Sequence, residues 1–66
     1  LMADKTSFLD KCLSIHSLLL QHGIDSGISF KKNESECFIT VNGKSKRYTS
    51  DDDIDIDAEF SVLEKF

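Results

Sequence analysis

ECFITVNGKSKRYT, residues 36–49, is the stretch that decides the fold. Residues 36–41 are rich in β-branched and aromatic side chains, and apolar Cys37, Ile39 and Val41 alternate with Phe38 and Thr40. Asn42-Gly43 follows, and Asn-Gly between two such runs is the strongest short-range hairpin signal, because both central residues of a type I′ turn need positive φ. A two-residue turn sets Val41 opposite Lys44, Ile39 opposite Lys46 and Cys37 opposite Tyr48.

Upstream, residues 28–32 (ISFKK) read as a further strand, with a turn at Asp25-Ser26-Gly27 before it and a polar turn around Asn33-Glu34-Ser35 after it. A four-residue loop at 33–36 would set Lys32 opposite Cys37, Phe30 opposite Ile39 and Ile28 opposite Val41. With both registers, Ile28, Phe30, Cys37, Ile39, Val41 and Tyr48 share one face. Ser29, Lys31, Phe38, Thr40, Ser45, Arg47 and Thr49 share the other. A one-residue slip would mix the two sets, so turns and alternation support one another.

Further upstream, residues 7–22 carry a helical period. Phe8, Leu9, Cys12, Leu13, Ile15, His16, Leu19 and Leu20 form a broad apolar face, with Leu18 as an exception in the polar arc. Ser7 and Asp10 suit a short capping box, and Gly23 with Ile24 suits a Schellman ending. Downstream, residues 51–55 are expected to be extended and 56–65 helical, with a fourth strand as the alternative. Alternating aspartates favour a first helical turn over a strand. The expectation is a single small α+β domain over residues 1–66: an N-terminal helix packed on a three-stranded antiparallel meander, then a short C-terminal helix.

A 66-residue chain buries only about 60% of its unfolded surface, leaving little room for a substrate pocket. Its two cysteines, Cys12 and Cys37, are too few for a disulfide framework and fit no zinc spacing. Both fall on apolar faces, as expected of free thiols in a reducing, cytoplasmic setting. No run reaches the length of a membrane span, and the N-terminal region lacks a signal peptide's apolar core.

Charge is divided along the chain. The net charge is −4, which disfavours non-specific phosphate binding. Residues 44–47 (KSKR) carry three positive charges, whereas 51–59 (DDDIDIDAE) carry six negative ones. Asp53, Asp55, Asp57 and Glu64 match ligand places 1, 3, 5 and 12 of an EF-hand loop, but Ala58 stands where the loop needs glycine and only two residues follow Glu64. No metal or other cofactor is expected. Lys31, Phe38 and Arg47 on the outer sheet face could bind single-stranded nucleic acid. Helix, three strands, helix resembles the order of the double-stranded RNA-binding domain. That family carries a basic cluster at the start of its last helix, where this chain has Asp51 to Asp57. Cys12 and His16, four apart, share a helix face without an orienting third group or an oxyanion hole, so no enzyme is expected.

The leading expectation is therefore a small acidic protein-binding module, acting by occupying a basic surface on a protein partner. Asp51, Asp52, Asp53, Asp55, Asp57 and Glu59 would form the contact, with Leu18 as an apolar addition. Compact acidic chains of this kind resemble the inhibitors and accessory factors of phages and mobile elements, a class likeness with no shared motif. The alternative is a nucleic-acid-binding module using Lys31, Phe38 and Arg47. A second copy of the chain, docking at the edge strand 44–49 or at the tail, is a further candidate partner.

Overall fold

A computed structural model describes residues 5–66; residues 1–4 of the expected domain lie outside it. Helix α1 (Lys5–Gln21) leads into strands β1 (Ser26–Lys31), β2 (Glu36–Val41) and β3 (Lys44–Thr49), and helix α2 (Ile56–Leu63) closes the order. The strands form one antiparallel sheet in the order β1-β2-β3. Both helices lie on its apolar face. The expected architecture is the one observed, with the helical reading of the tail in place of a fourth strand.

The helix ends follow local chemistry. Gly23 adopts φ +75°, the Gly23 amide donates to the Leu20 carbonyl and the Ile24 amide to that of Leu19. This is a Schellman motif, and Ile24 folds back against the core as the motif requires. At the start of α2, the Asp55 carboxylate accepts from the amides of Asp57 and Ala58 at 3.1 and 3.3 Å. Asp57 and Glu59 lie in the same first turn, where the helix dipole favours negative charge. The capping box at Ser7 is not formed: α1 already runs through Ser7 from Lys5.

The β2–β3 hairpin has the expected register, Val41 to Lys44 through Cys37 to Tyr48, with Asn42 at φ 55° and Gly43 at φ 78°. The β1–β2 register is displaced by two residues from expectation. Ser26 pairs with Val41, Ile28 with Ile39, Phe30 with Cys37 and Lys31 with Glu36. Residues 26 and 27 are thus strand, not turn, and the loop is 32–35. Lys32, Asn33 and Glu34 there all adopt left-handed φ, and the Ser35 hydroxyl donates to the Lys32 carbonyl at 2.7 Å. A shift of two keeps every side chain on its expected face, because the strand period is two. It also draws Glu36 into the ladder, where its carboxylate meets Arg47 and Lys32.

The core joins Phe8, Cys12, Ile15 and Leu19 of α1 to Cys37, Ile39, Val41 and Tyr48 of the sheet, with Ile54 and Leu63 from the tail. Phe8 meets Phe30 edge-on at 6.5 Å, and the His22 ring lies against Phe60 at 4.7 Å. The apolar face of α1 is narrower than expected. Leu13 and Leu20 are 46% and 48% exposed, while Leu18, expected in the polar arc, is half-buried. The position of α2 explains Leu18: the two helices pack side by side, and Leu18 faces Ile56 across a shallow hollow.

Candidate functional site

The acidic segment leaves β3, makes a turn at residues 50–52 and enters α2. Its carboxylates divide into two groups. Three are committed within the fold. Asp52 accepts the Thr49 amide at 2.8 Å and holds the turn. Asp55 caps α2. Glu59 reaches back to the sheet, where it accepts the Tyr48 hydroxyl at 2.8 Å and pairs with Lys46. Burial, with the Glu59 hydrogen bond and charge beside it, pushes the Tyr48 phenol well above its ordinary range. The other three, Asp51, Asp53 and Asp57, are exposed, and none of them enters an ion pair among the described residues.

Leu18 belongs beside this segment. It lines a hollow of about 350 Å³ with Ser14, Ser17, Gln21, Ile56 and Asp57. The fold thus brings an apolar side chain of α1 and an uncompensated carboxylate of α2 to one surface, across 39 residues of chain. Asp53 lies elsewhere, in a groove with Lys46, Arg47, Asp52 and Glu59.

The outer sheet face carries Lys31, Phe38 and Arg47 as expected. The Lys31 ammonium stands 5.7 Å from the Phe38 ring centre, a cation–π contact, and Phe38 pairs with Arg47 across the ladder. The residue missed in the sequence is Glu36. It is 6% exposed, bonded to the Arg47 guanidinium and 3.8 Å from the Lys32 ammonium. Arg47 holds its carboxyl below the ordinary carboxylate range, against the opposing pull of burial. Period-two counting back from Phe38 would have placed Glu36 on this face. The expected loop at 33–36 hid it.

Cys12 and Cys37 are free and buried in the same core, one on α1 and one on β2. The neighbouring Cys12 thiol, with burial, pushes the Cys37 thiol far up. A thiol so placed is a poor nucleophile. His16 is half-buried and hydrogen-bonds the Ser26 hydroxyl at 2.9 Å. Cys12 and His16 thus have separate partners. Residues 53–64 do not form an EF-hand loop, because α2 occupies most of them, and no cluster of metal-ligating side chains occurs among the described residues. No helix among them is long and apolar enough to cross a membrane.

In comparisons with protein-family models, curated proteins and solved structures, nothing matches this chain.

Proposed function

We propose that this chain is a protein-binding module that works by occupying a basic surface of its partner, as small inhibitors and accessory factors of phages and mobile elements do. The observation that carries this reading is the joint surface of Leu18, Ile56 and Asp57; Asp51 and Asp53 add exposed carboxylates earlier in the same segment. Leu18 and Ile56 beside the unpaired Asp57 carboxylate suit a partner that sets a cation next to an apolar contact: charge sets orientation and on-rate, while the apolar contact supplies affinity. Asp52, Asp55 and Glu59 support the segment from within. Binding without catalysis fits the division of Cys12 and His16, and two buried free thiols fit a reducing cytoplasm. Nucleic acid is the weaker partner, because Glu36 draws Arg47 and Lys32 to itself on the outer sheet face.

The test is affinity capture from the cells that express the chain, comparing it with the triple variant D51N/D53N/D57N and with L18S. A partner held by the unaltered chain should be lost from the triple variant and weakened by L18S, while the triple variant stays folded and loses only the helix-dipole contribution of Asp57, about 0.3–1 kcal/mol. Equal capture by all three chains rejects the acidic surface. A captured nucleic acid, released by R47A and K31A, would move the function to the outer sheet face.

A further inference from the structure

We propose that two copies of this chain pair through β1, antiparallel about a dyad at Ile28, with the exposed leucines of their α1 helices meeting above the joint. The surface is separate from the acidic one and does not depend on it.

Both outer strands of a three-stranded meander leave one row of backbone groups unpaired, and such an edge accepts another strand unless it is guarded. β3 is guarded: Lys44, Lys46 and Arg47 stand within its six residues, so self-pairing there sets cation beside cation. β1 reads SGISFK, with one charge at its end and neither a proline nor a bulge.

Residues 25–31 are self-complementary. Their only charges are Asp25 at one end and Lys31 at the other. A dyad perpendicular to the sheet keeps the apolar face of one copy continuous with that of the other, which requires inward residues to face inward residues. Centring it on Ile28 meets this requirement. Ile28 then faces Ile28 of the second copy, Phe30 faces Ser26, and Lys31 faces Asp25 at both ends of the joint. Ile28 and Phe30 point inward yet are only half-buried, because β1 has no neighbour on its outer side.

The helix above carries a matching stripe. Leu9, Leu13, His16 and Leu20 follow one another at helical spacing, about a quarter-turn from the core face. His16 bonds Ser26, which places the stripe on the β1 side of α1. Leu13 and Leu20 are two of the three large apolar side chains exposed among the described residues. Helix and strand also keep pace. Phe8 meets Phe30 and His16 meets Ser26. Eight helical residues span about 12 Å and four strand residues about 13 Å. The level of Ile28 on α1 is therefore near residue 12, and the nearest exposed leucine is Leu13. One two-fold axis can satisfy both layers, strand to strand and Leu13 to Leu13.

Sedimentation equilibrium from about 10 µM to about 1 mM tests this, since dimer content follows concentration. The unaltered chain should approach twice its monomer mass. D25K and K31D should each weaken the dimer about tenfold or more, because each substitution creates two like-charge contacts. The double variant D25K/K31D should recover it to within a few-fold. L13D should also dissociate it, with circular dichroism and melting temperature showing that each variant is folded. A monomer at every concentration overturns the proposal. So does a dimer unaffected by D25K and L13D, or a double variant that fails to recover.

Discussion

Glu36 and Tyr48 both have their protonation tied to the fold, in opposite directions. Glu36 has its carboxyl held below the ordinary value of 4.5, chiefly by Arg47. A carboxyl lowered in the folded state contributes stability that is complete above the unfolded value and is lost as pH falls through the folded one. Melting temperature should therefore decline on acidification below about pH 4.5, and E36Q should flatten that decline. Tyr48 has the opposite sign. Its folded value is raised, so the contribution is complete below the unfolded value of about 10 and is lost as pH rises beyond it. Thermal melts between about pH 9 and 11 should show an alkaline loss that Y48F reduces. An identical alkaline limb in Y48F would show that Tyr48 does not couple folding to base.

Caps and turns govern the elements. Gly23 has φ +75° with nothing within 4 Å of an added Cβ, so G23A pays the left-handed backbone penalty alone, about 1–2 kcal/mol. D55A removes the acceptor for two amides at the start of α2 and should cost about 1 kcal/mol. Urea unfolding of both variants measures these costs, and D55N, which keeps an acceptor oxygen, should lose less than D55A. Much of this scale was legible in advance. Gly23-Ile24, Asn42-Gly43 and the alternation on either side of residues 42–43 each act within a few residues. The β1–β2 register was not legible to that precision. Its loop carries three successive left-handed residues, none of them glycine, and the four-residue loop at 32–35 sets Glu36 in the ladder beside Arg47 and Lys32.

At the scale of the whole molecule, a single core holds both helices on one sheet face, and a chain of this size has little stability to spare. Leu63 is fully buried with residues of α1 and the sheet. L63A should cost about 2–5 kcal/mol and should lower one cooperative transition rather than release α2 separately. Two transitions by circular dichroism and Tyr48 fluorescence would show that α2 docks independently.

The amino-acid order alone determined the elements, the hairpin register and the sorting of residues between two sheet faces, because periods of 3.6 and 2 and the chemistry of turns are local properties of the chain. It also located the acidic run. Only the tertiary structure decided that Glu59 is committed to the sheet and that Asp57 shares a surface with Leu18, whereas Asp52 and Asp55 accept from amides two or three residues away. The placement of Glu59 and Asp57 depends on where α2 lies relative to β3 and α1. Glu59 meets Tyr48 and Lys46 across the helix–sheet boundary, Leu18 is drawn beside Asp57, and Leu13 and Leu20 are left uncovered because α2 takes the opposite flank of α1. Long-range packing made these assignments, since the partners are far apart in the chain and no local pattern records their meeting.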